Sequence, residues 1–246
     1  MAVVSDLTIA ALEESGTEPL TYYSASLASA CDATPPPYGM AWYGDKYREL
    51  ACDPNWLANS LIANAAKEGE GSRKLWSLAG RTANPKVSEQ IRSHAIDEAR
   101  HARLYIEMLS IAFPEAMDSD TRAELDKLSP GYTGKDHPQI SAYAAETSVL
   151  DELIQMNIGE IRTRIHQLLL RPVIMAHCPP KARARLKRVL DSLLADETSH
   201  IQYTARLIES AAVGNSKFVH DTLQKRLAEF NEITLQEVGE ASFEGA

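Results

Sequence analysis

Cysteine is scarce in this chain: three among 246 residues, Cys31, Cys52 and Cys178, an odd number at wide spacing. That suits a reducing cytoplasm, and it leaves no Cys-x-x-Cys pair for a rubredoxin-type or zinc site. Positive charge is also short. Lys and Arg number 25 against 34 Asp and Glu, a formal net charge of −9 with no basic face, so nucleic acid is not an expected partner. Long apolar runs are missing. None approaches the roughly 20 residues needed to cross a bilayer, so no membrane partner is expected. The N-terminus shows no basic stretch followed by an apolar one, and the expected location is the cytoplasm. What remains is an ordinary globular composition, 44% hydrophobic and 24% charged, in a chain long enough for a sizeable core.

Within that composition one stretch stands out, His94-Ala-Ile-Asp-Glu98-Ala-Arg-His101, inside an amphipathic run. On a helix, residues three and four apart share a face. The face through Val87, Ile91, His94, Glu98, His101, Tyr105, Met108 and Ala112 is apolar except for an acid and two histidines at its middle. Buried carboxylates and imidazoles are costly unless paired or bound to a cation. The pattern returns at Asp196-Glu197-Thr-Ser-His200, on the face of Leu186, Leu190, Leu193, Glu197, His200, Thr204 and Ile208. A single Glu-x-x-His arises easily by chance in an acidic helical chain. Two copies, each preceded by Asp and each on an apolar face, are the pattern of di-metal carboxylate bundles, in which the other two helices supply one inward Glu each.

The rest of the chain supplies helices for those two acids. Residues 1–50 read as an N-terminal arm, extended around Pro35-Pro36-Pro37 with one short helix over 7–14. Its aromatics are expected to pack on the bundle or on a second subunit, which leaves a homodimer open. Residues 51–240 read as the bundle. Asp53-Pro54 opens a first long helix whose stripe Leu57, Leu61, Ala65, Glu68, Ser72, Leu75, Ala79 includes Glu68 but not Glu70. Gly69 and Gly71 weaken that helix and would let another helix, or a ligand, come close. Asn84-Pro85 opens the second helix, which ends before Pro114. The polar stretch 118–138 reads as a long crossover with a short helix over 121–128. A third helix runs from about Pro138 to Arg171, where Pro172 either ends it or kinks it with continuation towards His177; a fourth runs from after Cys178-Pro179-Pro180 to about Ala212. A capping helix follows, around Phe218 to Phe230, and then a disordered tail from Gly239. On the third helix Glu146, Glu152 and Glu160 all remain open by periodicity. Glu152 has the more apolar neighbours. Glu160, thirty-seven residues before Glu197, better matches the thirty between Glu68 and Glu98.

Over residues 54–212 the chain resembles the ferritin-like di-iron oxygenases and oxidases. Asp97-Glu98-Ala99-Arg100-His101 is similar to the Asp-Glu-x-Arg-His motif of bacterial multicomponent monooxygenases and ribonucleotide reductase radical subunits. Asp196 to His200 matches it except that Ser199 stands where Arg is usual. Glu68-Gly69-Glu70 resembles the first-helix motif of aldehyde-deformylating oxygenases. Those enzymes also carry a proline twelve residues after the third-helix ligand, the spacing of Glu160 and Pro172, which favours Glu160 over Glu152.

The resemblance implies a ferritin-like four-helix bundle with metal ligands Glu68, Glu98, His101, Glu160, Glu197 and His200, the four glutamates being also the catalytic set. It implies Asp97 holding His200 and Asp196 holding His101, and a hydrogen-bonding or redox role for Tyr105. His94 is an inward histidine that the common six-ligand set lacks, either a further ligand or a histidine of the pocket. The implied cofactors are two iron ions, or a manganese–iron pair, with O2 as co-substrate. The implied activity is oxidation of a small organic molecule by way of a peroxide-level intermediate, with electrons from a ferredoxin or flavin reductase. Iron oxidation or peroxide detoxification of the ferritin or rubrerythrin kind is the alternative. Fatty aldehyde, arylamine, amino acid and carrier-bound acyl substrates all remain open.

Overall fold

The structure, a computed structural model, describes residues 3–243, with side chains as far as Val238. The described residues form eight α-helices and no strand: α1 (Val3–Glu14), α2 (Thr21–Ala33), α3 (Ala41–Ala51), α4 (Pro54–Arg81), α5 (Pro85–Ala112), α6 (Ser119–Asp126), α7 (Glu146–His177) and α8 (Arg183–Phe243). The expected all-helical class is the one the chain adopts.

Capping residues explain where the long helices begin. The Asp53 carboxylate accepts from Asn55 N at 2.8 Å, and the Asn84 side chain accepts from Lys86 N and Val87 N at 3.0 and 3.3 Å. A proline follows each cap, where its missing N–H costs nothing. α6 starts in the same way, Asp118 accepting from Thr121 N at 2.7 Å.

Three parts of the chain differ from the sequence expectation. The first fifty residues form three helices, not an extended arm with one. The prolines at 35–37 occupy only the link between α2 and α3, and α2, with little apolar contrast along its sequence, is held by burying Tyr23, Leu27, Ala30 and Cys31. α7 starts at Glu146, not near Pro138. Residues 139–145 lie along α4 instead, Ser141 N and Ala144 N donating to Gly80 O and Arg81 O at 3.2 and 2.9 Å. α7 continues past the exposed Pro172 to His177, the continuation the sequence left open. The fourth helix and the capping helix lie within the span of α8, and the non-helical backbone of Asn215 (φ −145°, ψ 44°) divides them where the sequence placed the break. Helical backbone also replaces the expected disorder from Gly239 to Phe243, and the last residues of that tail lie outside the described range.

Packing divides the chain into two compact units. One comprises residues 47–149 and 167–196. Its core joins Leu57, Leu61 and Ala65 of α4, Ile106 and Leu109 of α5, Leu170 and Ile174 of α7, and Leu186, Leu190 and Leu193 of α8. Each such leucine or isoleucine contributes roughly 1.5–3 kcal/mol over leaving it in water. The crossover is fastened to α4 and α5. Ser129 Oγ donates to Ala99 O at 2.6 Å, Arg103 donates to Ser129 Oγ at 2.9 Å, and Tyr132 stacks on Trp76 with ring centroids 4.0 Å apart. Gly69 lets Leu128 come close: a Cβ there would run into Leu128 O. The close neighbour is the turn after α6, not the helix or ligand expected there. Nothing crowds Gly71.

The other unit comprises residues up to 46, 150–166 and 197 onward. A buried polar thread runs through it. The Tyr23 hydroxyl donates to Asn157 Oδ1 at 2.9 Å, and Asn157 Nδ2 donates to Thr204 Oγ1 and Ile201 O at 2.9 and 3.3 Å. Tyr23 N donates to Glu209 Oε2 at 2.7 Å, and Arg226 pairs with Asp151 at 2.8 Å. Every group in the thread has a partner, so its burial is tolerated.

Candidate metal centre

The α5 face carries the first set of polar groups. Ile91, His94, Glu98, His101, Tyr105, Met108 and Ala112 are all buried. Glu98 sits between the two histidines of its own helix. Its Oε1 lies 3.2 Å from His94 Nε2 and 3.3 Å from His101 Nδ1. The other side of the His101 ring faces Asp196, with Nε2 3.3 Å from Oδ2. An imidazole held this way offers Nδ1 inward in a fixed orientation. Arg100 fastens the aspartate in turn, its Nη2 donating to Asp196 Oδ2 at 2.8 Å and to Asp97 Oδ1 at 2.9 Å.

Glu68, on α4, shares a side-chain hydrogen bond with Glu98. Glu68 is half-buried, whereas Glu70 is exposed and pairs with Lys74. Burial alone would push the Glu98 carboxyl upward. The His101 charge and the polar contacts from Glu68, His101 and His94 outweigh it and hold Glu98 well below the usual carboxylate range. Asp196 is lowered as well. Its half-burial works upward and is overcome by His101 and Arg100.

The second set lies on α7 and α8. Glu160, Glu197 and His200 are buried. His200 Nδ1 lies 3.7 Å from Glu160 Oε2 and 4.0 Å from Glu197 Oε2. Those separations exceed a hydrogen bond, yet two donors on one ion stand about that far apart.

Two groups of these side chains each bring one ligand atom per residue within 4.8 Å of one another: His94, Glu98, Glu160 and His200; and Glu98, His101, Glu197 and His200. Such buried His/Glu groups within reach of one another are compatible with a metal site. Of the six ligands the sequence suggests, five stand in these groups, and Glu68 reaches Glu98 by its hydrogen bond. Glu152 stands in neither group. Asp196 faces His101 as the resemblance implied. Asp97 is paired with Arg100.

Sequence reasoning missed Gln167. It is buried, and its Nε2 donates to the Tyr105 hydroxyl at 2.5 Å, which ties the tyrosine one turn beyond His101 to α7. The available signal was spacing: Gln167 stands seven residues after Glu160 and so shares its face. The bridging role of Arg100 was also missed, since no motif spacing says that one guanidinium serves two aspartates.

Comparison with known protein families, with curated proteins and with solved structures gives no match.

Proposed function

We propose that Glu68, Glu98, His101, Glu160, Glu197 and His200 hold a pair of metal ions, iron first, in a ferritin-like arrangement of α4, α5, α7 and the N-terminal part of α8. The observation that carries this reading is the convergence of buried Glu and His from both Glu-x-x-His copies. Two imidazoles and four carboxylates form a mixed nitrogen–oxygen set that suits iron or manganese better than zinc or a thiolate-bound metal. The long connection between α5 and α7, fastened along α4, supports the topology.

On this reading the protein is an O2-dependent oxidoreductase acting on a small organic molecule, with electrons from a separate donor protein. Two ferrous ions, when bound, supply the electrons that reduce O2. The chain's own residues do the rest. Asp196 holds the His101 ring so that Nδ1 faces inward. Arg100 balances the charge of Asp97 and Asp196 so that neither has to take a proton. The lowered Glu98 carboxyl is ionised, the state in which a carboxylate binds metal. Burial of both sets keeps bulk water from the ligands, and the Tyr105 hydroxyl, fixed by Gln167, is a proton donor at the edge of the site.

The test is metal content followed by turnover. Protein from iron-replete cells should carry about two metal ions per chain. The ferrous protein should then consume O2 and, with reductant and a suitable organic molecule, yield an oxidised product. Iron accumulating far beyond two per chain as a ferric core, with no organic product, would replace this reading by iron storage. A metal content that plateaus at one or none would end it.

A further inference from the structure

We propose that His94 is a third metal-binding nitrogen, so that the two metal positions are unequal. One of them is offered a second imidazole that the other lacks. This rests on the dinuclear reading above and adds a ligand to it.

The argument begins on α5. His94, Glu98 and His101 stand at i, i+4 and i+7, one face over two turns. His94 reaches downward with Nε2 and His101 reaches upward with Nδ1, and both meet the same carboxylate oxygen, Glu98 Oε1, at 3.2 and 3.3 Å. A charge-assisted N–H···O bond is shorter, about 2.7–2.9 Å. Donors set at right angles on a common ion, with bonds of about 2.1 Å, stand about 3 Å apart. The spacing is long for charge-assisted bonds and is the spacing of ligands around a common ion.

Burial sharpens the point. His94 is 1% exposed, so its ring has been taken wholly out of water, and a histidine needed only for packing would be served better by an apolar residue. The α8 copy has that apolar residue. Leu193, four before Glu197, occupies the place of His94 and is fully buried. The extra nitrogen exists on one side only.

The grouping says which position receives it. His94 converges with Glu98, Glu160 and His200, while His101 converges with Glu98, Glu197 and His200. His94 and His101 never share a group. Glu98 and His200 stand in both groups, so the position near Glu160 is offered His94 and the position near Glu197 is offered His101. The His200 Nδ1 can bind only one ion, and it lies nearer Glu160 than Glu197, 3.7 against 4.0 Å, which leaves the Glu160 position with two imidazoles and the other with one. Imidazole raises affinity in the order Mn(II), Fe(II), Co(II) more steeply than carboxylate does. The His94 position should fill first and should discriminate most against manganese.

Cobalt(II) is the probe, because its binding can be followed by calorimetry and by visible absorption without O2 chemistry. The wild-type protein should bind two cobalt ions in two unequal steps. His94→Leu, which copies the residue of the α8 side, should weaken the tighter step by at least about 10–100-fold, leave the other within about threefold, and change the absorption band of the tight site. His94→Gln, which keeps a polar group there, should do the same and guards against a packing defect. Circular dichroism on both variants checks that the helices persist. Two cobalt ions bound by both variants with wild-type affinities and wild-type spectra would overturn the proposal and leave the six-ligand reading standing. Failure of the wild-type protein itself to bind cobalt would overturn both.

Discussion

The Glu-x-x-His of α5 and that of α8 are the same four-residue device in two settings. Glu98 and Glu197 are both buried, as are His101 and His200. One turn further on, each helix carries a hydroxyl bonded to an amide of α7: Tyr105 to Gln167, and Thr204 to Asn157. Around this shared frame the surroundings diverge. Where α5 has His94, α8 has Leu193, and where α5 has Arg100, α8 has Ser199. The contacts follow. Glu98 lies 3.2–3.3 Å from its two histidines, whereas His200 lies 3.7–4.0 Å from its two glutamates. The Glu and His repeat, as the proposed metal pair would require of both copies. The supporting residues do not repeat, because one aspartate–arginine clamp on α5 already serves Asp97 and Asp196 together.

The largest effects should fall on the residues the two copies share. Glu98→Ala and Glu197→Ala should each cost more than about 100-fold in metal affinity, beyond the 10–100-fold range of outer partners, and should abolish O2 consumption while helical content stays near wild type. Metal analysis and circular dichroism check this, and wild-type loading of either variant would break the equivalence of the copies. Glu160→Ala should behave the same way, and Glu152→Ala should keep its metal.

Next come the residues on which the copies differ. Arg100→Ala removes the clamp from both aspartates and should weaken metal binding about 10–100-fold. Asp196→Asn should do so through His101 alone. It also makes a pH prediction. The folded Asp196 is held below its ordinary value, so its contribution to stability is present above the unfolded value of about 3.9 and is lost as pH falls through the lower folded value. Metal-free wild type should therefore lose more stability between about pH 5 and pH 3 than Asp196→Asn, measured by urea unfolding. Equal acid limbs would show that Asp196 owes nothing to its partners.

A smaller pair tests the support beside Glu68. Gly69→Ala forces Leu128 O aside and should destabilise by about 1–3 kcal/mol. Gly71→Ala, with nothing near it, should be neutral or stabilise by about 0.5–1 kcal/mol. Thermal unfolding of the two side by side reads the difference. The smallest effect belongs to Ser199→Ala, an exposed position, where metal affinity should stay within about twofold, well short of the loss expected of an outer partner.

The long helices were legible because their apolar stripes are wide and their caps explicit. Every residue of the α5 stripe from Ile91 onward is buried, and so is the whole α8 stripe from Leu186 to Ile208. The first fifty residues were not legible, because α2 gains its place from Tyr23, Leu27 and Ala30 packed against other helices and shows little amphipathicity of its own. The Glu152–Glu160 choice stayed open for a related reason. α7 buries residues on several faces, so neither acid stands out by its neighbours. Gln167, on the Glu160 face, is a buried partner of Tyr105, so a polar residue there does not mark a solvent face. The break between the fourth helix and the capping helix was legible because Gly214-Asn215-Ser216 is a cluster of turn residues, and the backbone leaves the helical region at Asn215.

One feature reaches beyond this chain to its variants. Arg100 spreads its guanidinium over Asp97, Asp196 and Ser192. Two dependents on one side chain make position 100 a bottleneck for drift, while position 199 is open to nearly any polar replacement. Even lysine, shorter and with its charge at a single point, cannot keep all three partners. Among descendants of this sequence, the motif around Glu98 should therefore change slowly and the one around Glu197 quickly, though both hold the same kind of ligand.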